Sequence, residues 1–128
     1  MDLGERTATL KAILDAKPGA TTVARSPPRS TKGPEVLDYK VMGKTFAILS
    51  VRGPERVILK CDPHLVDILK QQYAGVGHRS HLDRRFWINV VLDADVPAEE
   101  IERLADGSYD LVRAGLSRKQ RAELDALS

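Results

Sequence analysis

The stretch that decides the fold reads DYKVMGKTFAIL from Asp38 to Leu49, and a second run, RVILK, follows from Arg56 to Lys60. In both runs apolar, β-branched and aromatic residues recur at alternate positions, which is typical of half-buried β-strands. Gly43-Lys44 can form a tight turn because glycine tolerates a positive φ, and the segment from Arg52 to Glu55 has the composition of a second turn. The pattern predicts a three-stranded antiparallel meander.

The two faces of this meander differ in character. Leu37, Tyr39 and Val41 are expected to point to one side of the first strand. Asp38 and Lys40 then point to the other side, and basic residues also fall at the turns. The apolar face has to be covered, so helices before and after the meander are expected to pack on it.

Helix signals flank the meander on both sides. A capping box from Asp2 to Glu5 predicts the start of a first helix, which ends at Lys17-Pro18-Gly19. Asp62-Pro63 predicts the start of a second helix, and Gly75 ends it. The expected buried stripe of this second helix consists of Leu65, Ile68, Leu69 and Tyr73.

Further segments complete the order of elements. Ala20 to Pro34 is predicted as a loop or short irregular strand, Val76 to Arg85 is polar, and Phe86 to Leu92 is predicted as a strand. A third helix is expected to start after Val96-Pro97, with an interruption at Asp106-Gly107.

A second capping box, Ser117 to Gln120, predicts a terminal helix. The early strands lie too close together in sequence for crossover helices. The order therefore predicts an α+β fold with a single mainly antiparallel sheet and helices packed on one face. We expect one domain spanning residues 1–128.

Length and composition narrow the class of protein. A chain of 128 residues can bury a sufficient hydrophobic core without disulfides or structural metal ions. Its single cysteine, Cys61, excludes an internal disulfide. Cys61 alternates with apolar strand residues and is expected to be a buried, inert thiol. No apolar run is long enough to span a membrane and no export signal is visible, so we expect a cytoplasmic protein that is monomeric by default.

Charge is distributed unevenly along the chain. Between Lys17 and Cys61 there are nine Lys/Arg against three acids, whereas between Asp93 and Asp110 there are seven acids against Arg103 alone. Such asymmetry indicates either an anionic partner or a solvated surface.

Motifs for catalysis or metal binding are scarce. Gly43-Lys44-Thr45 lacks the upstream glycine and the following helix of a phosphate loop. No metal or cofactor is expected, because only one thiolate is present among the candidate ligands Cys61, His64, His78 and His81. No nucleophile-elbow pattern surrounds Ser108, which is expected instead to bond or cap backbone near Gly107, so we do not expect an enzyme.

The segment HLDRRFW, from His81 to Trp87, is the most unusual one. An indole beside a histidine and two guanidiniums can stack on bases or clamp a phosphate. Trp87 can equally be a core or sheet-edge aromatic, with His81 held by a local hydrogen bond. Tyr39, Phe46 and Tyr109 are expected to be packing residues rather than parts of a cofactor site.

Several motifs, taken in order, resemble a known family. They are Lys17-Pro18-Gly19-Ala20, the run from Tyr39 to Ala47, Leu59-Lys60 with Pro63, His81-Leu82-Asp83, Trp87, Leu92-Asp93 and Ser108-Tyr109-Asp110-Leu111-Val112. With these motifs, which cover nearly the whole chain, the sequence resembles the MmcQ/YjbR family of small bacterial proteins. The resemblance implies a CyaY-like α+β fold, that of frataxins, and a double-wing DNA-binding arrangement without established catalytic residues.

Two positions depart from the family pattern. Phe86 stands where histidine is common, and Asp83 stands where asparagine is frequent. If these positions bind a phosphate, the negative charge of Asp83 weakens that contact.

The first hypothesis is a non-enzymatic DNA-binding protein whose basic turns act as wings. The residues expected to contact phosphates are Lys44, Arg52 and Arg56, with help from Arg84 and Arg85. Such contacts give affinity and orientation without reading the base sequence.

Two alternatives remain open. One is a small-molecule or peptide-binding adaptor with a pocket between sheet and helices, formed by Lys60, His81, Trp87 and Tyr109. The other is a frataxin-like metal carrier, which needs clustered carboxylates. The acids of the first helix are only Asp2, Glu5 and Asp15, with Arg6 and Lys11 between them, so the sequence disfavours this second alternative.

Overall fold

The computed structural model describes residues 4–25, 36–51, 55–78 and 82–127. Within these ranges lie four helices and six strands, in the order α1 (Glu5–Asp15), β1 (Ala20–Arg25), β2 (Val36–Val41), β3 (Lys44–Ser50), β4 (Arg56–Lys60), α2 (Pro63–Gln72), β5 (Val76–Gly77), β6 (Trp87–Val91), α3 (Ala98–Ala114) and α4 (Arg118–Leu127). None of the helices in these ranges has both the length and the apolar content needed to cross a bilayer.

The strands form one sheet in the order β1-β2-β3-β4-β6-β5, and every neighbouring pair is antiparallel. The predicted meander corresponds to β2, β3 and β4. All four described helices contribute to one core on one side of the sheet, so the predicted α+β class is confirmed. β1 is a regular edge strand where the pattern predicts a loop or short irregular strand, and β5 lies in a segment that carries no strand signal.

Met42 and Gly43 form the turn between β2 and β3, rather than the predicted Gly43-Lys44. Both residues have a positive φ, 50° for Met42 and 80° for Gly43. Two consecutive positive φ values are characteristic of a type I′ hairpin turn, which matches the twist of the flanking strands. Lys44 is therefore already the first residue of β3.

A β-bulge in β3 directs an aromatic ring into the core. Tyr39 pairs with Ala47 and Lys40 pairs with Thr45, so Phe46 is the extra residue on β3. The Phe46 ring centroid lies 6.1 Å from that of Tyr39, and it also contacts a ring of α3. The bulge therefore lets consecutive β3 residues both be buried.

Ser108 lies at this bulge and joins α3 to the sheet. Its hydroxyl donates to the Phe46 carbonyl at 2.5 Å and accepts from the Lys60 N–H at 2.8 Å. The last backbone pair between β3 and β4 is Ala47 with Leu59. Ser108 thus extends the hydrogen bonding between two strands beyond their ladder, instead of bonding backbone near its own position as predicted.

The helix α3 runs without a break for 17 residues, so the predicted interruption at Asp106-Gly107 is wrong. Its buried residues repeat at helical spacing on both sides of the glycine: Ile101, Leu104, Ala105, Ser108, Tyr109 and Val112. Packing of this stripe on the sheet overrides the low helix propensity of one glycine.

Two predicted caps are confirmed. The Asp62 carboxylate accepts from the His64 N–H at 2.8 Å, and Pro63 is the first residue of α2. Ser117 and Gln120 bond each other reciprocally, each backbone N–H donating to the other side chain at 3.1 Å. Both helix starts follow from signals within a few residues.

The start of α1 differs from its prediction. Asp2, the expected capping residue, lies outside the described residues. The N-cap of α1 is Gly4, which has no side chain to offer. The Gly4 N–H donates instead to the Glu55 carboxylate at 3.0 Å, which ties the helix to the start of β4.

The aromatic residues and the cysteine occupy the core, as predicted. Tyr39, Phe46 and Tyr109 are all buried. The Tyr39 hydroxyl donates to the Asp15 carboxylate at 2.8 Å. Cys61 is also buried, and this burial raises the pKa of its thiol to about 11, in keeping with an inert thiol.

Candidate functional site

The sheet has one face covered by helices and one face that no described helix covers. Helix residues pack against alternate strand residues such as Val57, Leu59 and Ile88. The intervening residues, among them Arg56 and Ile58, point to the opposite side because successive side chains alternate. We call this surface the open sheet face, although its central residues Ile58 and Asn89 are buried.

The described part of the open sheet face is predominantly basic. Its cations are Arg25, Lys40, Arg56 and Lys60. Asp38 is the one acid on this face within the described strands. Its carboxylate accepts from the Thr45 hydroxyl at 3.0 Å and lies 3.7 Å from the Arg25 guanidinium. The face therefore carries a net positive charge, and its acid is held by local partners.

Two residues of β6 add an indole and an amide to this face. Trp87 is half-buried and pairs with Lys60, while Asn89 pairs with Ile58. Asn89 is 4% exposed, and its Oδ1 has no hydrogen-bond partner in the described part of the chain. Gly77, its neighbour on β5, leaves open space where a side chain would stand. A buried acceptor without a donor is unusual. In the sequence, the only signal for Asn89 is that it is a lone amide within an apolar run.

The predicted wing residues lie at different ends of the sheet. Lys44 begins β3, whereas Arg56 pairs with Ser50 at the other end of that strand. A strand rises about 3.3 Å per residue, so these two cations stand roughly 20 Å apart along the sheet. Arg52, the third predicted wing residue, lies outside the described residues.

Arg84 and Arg85 lie in the turn before β6, and both are exposed. Arg85 makes two side-chain bonds to Asp83, at 3.1 and 2.7 Å, and its guanidinium stands 5.3 Å from the Phe86 ring centroid. These bonds from Arg85 lower the pKa of Asp83 to about 2. Arg84 has no ion pair with any described residue, so Arg84 rather than Arg85 is available to a phosphate.

The structure brings together two of the residues predicted for an adaptor pocket. Lys60 and Trp87 are partners on neighbouring strands. Tyr109 lies on the helix-covered side of the sheet, where its hydroxyl donates to the Pro18 carbonyl at 2.6 Å. His81 lies outside the described residues.

The helix α2 buries only part of the stripe that its sequence predicts. Val66 and Leu69 are its buried residues, whereas Leu65 is 46% exposed and Ile68 is 56% exposed. Together with Leu111 of α3 these two side chains border a groove of about 580 Å³, which we call the α2–α3 groove. The prediction is confirmed for Leu69, and Tyr73 is partly buried against the core, but it is wrong for Leu65 and Ile68, because Val66 takes their place in the core.

The described ranges contain no group of three or more His, Cys, Asp or Glu side chains placed to hold a metal ion. On α1, Asp15 accepts from Lys11 at 2.8 Å and also from Tyr39, so its carboxylate is already engaged. Asp2, another acid considered for metal binding, lies outside the described residues.

Comparison of the sequence with known proteins finds one family. The family model described as YjbR matches residues 15–111. The Escherichia coli K12 protein named "Uncharacterized protein YjbR" is 34% identical over 95 residues, which make up 73% of this chain and 75% of that protein. The Escherichia coli O157:H7 protein named "Uncharacterized protein YbdF" is 29% identical over 90 residues, or 70% of this chain and 74% of that protein.

Two solved structures are similar to this one. The Deinococcus radiodurans protein DR2400, whose domain is described as DUF419, has a TM-score of 0.77 and 30% identity, covering 92% of this chain and 86% of that chain. A Pseudomonas syringae protein has a TM-score of 0.64 and 21% identity, covering 81% of this chain and 96% of that chain. At the second level of identity the likeness concerns the fold alone.

Proposed function

This chain belongs to the YjbR family, and we propose that it is a non-enzymatic nucleic-acid-binding protein that contacts phosphates through its open sheet face. The observation that carries the proposal is the segregation of charge between the two sides of the sheet. The open sheet face bears four cations against Asp38 in its described part. Five of the seven acids in the stretch from Asp93 to Asp110 lie on α3, on the covered side.

The spacing of the cations suits a phosphate backbone. Arg56 and Lys60 mark the two ends of β4, about 13 Å apart at the rise of a strand. Phosphates on one strand of a DNA duplex follow each other about every 3.4 Å along the axis, so this distance spans roughly four of them. Arg25 and Lys40 widen the same surface across β1 and β2.

This arrangement modifies the expected role of the wings. Lys44 and Arg84 lie near the Lys60 end of the sheet, because Lys44 begins β3 and Arg84 precedes the partner strand of Lys60. We therefore assign the main contacts to the face between the turns. Lys44 shares the helix side of the sheet with its partner Val41, and Arg84 lines a cavity beside α2, so these two cations can add contacts only at the edge of the sheet. Arg56 serves the other end.

The states of a serine and a cysteine support the part of the proposal that the protein is not an enzyme. Ser108, the serine considered as a nucleophile, is fully buried and has its hydroxyl engaged with two backbone groups. Cys61 is buried with a raised pKa, which keeps the thiol protonated at neutral pH. Neither side chain is a ready nucleophile.

The test is a titration of labelled duplex and single-stranded DNA, followed by fluorescence anisotropy at several salt concentrations. If about four cations contact phosphate, log affinity falls against log salt with a slope of roughly −3 to −4. The dissociation constant is expected to be no better than roughly micromolar near physiological salt. The double variant Arg56→Glu with Lys60→Glu should weaken binding to every duplex and flatten the slope.

The matched control is Arg118→Glu with Lys119→Glu, which changes the net charge equally but lies on α4 in the helix layer. It should leave binding close to that of the unchanged chain. Equal weakening by both double variants would mean that net charge alone matters, and absence of binding at low salt would end the proposal. Trp87→Ala separates the targets, because selective loss of single-stranded binding would show that bases stack on the indole.

A further inference from the structure

The α2–α3 groove separates two helices that lie side by side on the covered face of the sheet. The helices do not pack against each other along their length. Buried side chains form the floor of the gap, among them Cys61, Leu69 and Leu104. The gap is therefore a groove with an apolar floor between two helices, on the helix side of the sheet.

Exposed apolar side chains concentrate at this groove. Among the described residues, the large hydrophobic side chains that are exposed are Val23, Leu65, Ile68, Leu111 and Leu127. Leu65, Ile68 and Leu111 all line the groove. Single exposed leucines are ordinary on a protein surface, whereas a contiguous apolar patch marks an interaction site.

Gly107 gives a second, independent indication. It lies in the interior of α3, where glycine destabilises a helix relative to alanine. A Cβ placed on Gly107 would meet nothing within 4 Å, so the internal packing of the chain does not require a glycine there. Gly107 lines the groove. Because it has no side chain, the wall formed by α3 is lower at this point, and the backbone of a partner could approach α3 closely.

The length of the groove fits a helix better than a compact small molecule. Its lining on α3 extends from Glu100 to Ala114, which at about 1.5 Å per residue is roughly 21 Å. The lining on α2 extends from Leu65 to Gln72, or roughly 10 Å, so a partner helix of about four turns would follow the whole α3 wall and contact α2 over about two turns. Apolar anchors spaced at i, i+3 or i+4 and i+7 are the usual means by which a helix fills such a groove.

The charged residues at the rim of the groove indicate the charge that a partner should carry. The acids of the rim are Asp62, Glu100 and Asp110, and its cations are Lys60 and Arg103. Arg103 is bonded to Glu100, which leaves Asp62 and Asp110 against Lys60 alone. Asp62 and Asp110 therefore give the groove a negative edge.

We propose that the α2–α3 groove binds an amphipathic helix of a partner protein, with apolar anchors between Leu65, Ile68 and Leu111 and with Lys or Arg beside Asp62 and Asp110. The groove lies on the helix side of the sheet, and apart from Lys60 its lining residues differ from those proposed to contact nucleic acid, so the proposal does not rest on nucleic-acid binding. It makes the chain an adaptor that a basic, apolar-striped helix can recognise.

The test is selection from a displayed library of helical peptides of about four turns, randomised on all faces, against the full chain. Enriched peptides should share an apolar stripe at i, i+3 or i+4 and i+7, flanked by Lys or Arg. The best peptide, synthesised and labelled, should lose about tenfold or more in affinity when Ile68→Asp is introduced into the chain. Gly107→Leu should cause a similar loss by filling the groove.

The matched control is Leu127→Asp, which places the same charge on an exposed leucine outside the groove. This variant should bind the peptide as the unchanged chain does. Thermal melts of Ile68→Asp and Gly107→Leu should show intact folding, so that lost binding reports the groove. The proposal is overturned if no peptide is enriched, if enriched peptides are acidic or lack the stripe, or if both groove variants bind normally. It is also overturned if Ile68→Asp dissolves a dimer in sedimentation, because the occupant is then a second copy.

Discussion

Ser108 completes the edge of two strands with a single hydroxyl. The oxygen donates to the Phe46 carbonyl and accepts from the Lys60 N–H, so one atom satisfies backbone groups on both β3 and β4. Buried backbone groups without partners are costly, and the strand ladder ends just short of this point. The position of α3 on the sheet is therefore fixed by a polar contact as well as by apolar packing.

Replacing Ser108 by alanine should reduce the free energy of unfolding by about 1–3 kcal/mol, because a buried carbonyl and a buried N–H lose their partner together. Urea unfolding followed by circular dichroism measures this loss. Thr9→Ala, at an exposed position of α1, is the control and should change stability by no more than about 0.5 kcal/mol. A Ser108→Ala loss within that control range would show that the two backbone groups find other partners.

At the residue scale, the sequence allowed some roles to be predicted but not others. Tyr39, Phe46 and Tyr109 could be assigned to the core because large aromatics at alternating or helical spacing are usually buried. The role of Ser108 depends on partners 62 and 48 positions away, which no local pattern reveals. The unpaired Oδ1 of Asn89 was not predictable, because the groups around it are set by the strand register.

At the scale of helices and strands, local sequence signals predicted where helices begin, but they did not predict which side of a helix is buried. The caps at Asp62 and at Ser117-Gln120 involve groups within three residues, and both were predictable. The buried side of α2 was predictable only in part, because Leu65, Val66, Ile68 and Leu69 share one broad apolar arc and the sequence does not show which of them face the sheet. Packing at the sheet selects Val66 and Leu69, and it leaves Ile68 in the groove.

Gly107→Ala should stabilise the chain by about 0.5–1 kcal/mol, since alanine is the better helix former and the added Cβ meets open space. Chemical denaturation of the variant and the unchanged chain gives this difference. Gly19→Ala is the contrasting change. Gly19 has a φ of +71°, and an added Cβ would collide with the Leu124 side chain, so that variant should be destabilised. Destabilisation by Gly107→Ala would show that its surroundings are tighter than the structure indicates.

At the scale of the whole molecule, fold class and charge segregation were both readable from the chain. Alternating strands with short turns exclude crossover helices, which leaves one antiparallel sheet with helices on one side. The basic stretch from Lys17 to Cys61 contributes four of the six strands, and the acidic stretch from Asp93 to Asp110 contributes much of α3. Charge separated along the sequence thus becomes in part charge separated across the sheet, although Lys17 of the basic stretch pairs with Asp106 of α3. The composition of the open sheet face required strand register, and the α2–α3 groove required helix orientation.

The two proposed surfaces should act independently, because the whole sheet lies between them. Ile68→Asp adds a negative charge on the helix side, and at a Debye length of about 10 Å near 0.1 M salt its effect on the open sheet face is largely screened. The affinity for DNA and its salt slope should therefore stay within about twofold of the unchanged chain, which corresponds to a negligible coupling energy. Conversely, Arg56→Glu, at the end of β4 that lies away from the groove, should preserve the affinity for the selected peptide. Anisotropy with each labelled ligand, in the absence and presence of an excess of the other, measures the coupling directly. Competition between DNA and peptide would place both ligands on one surface, and it would contradict the assignment of the groove and the open sheet face to different partners.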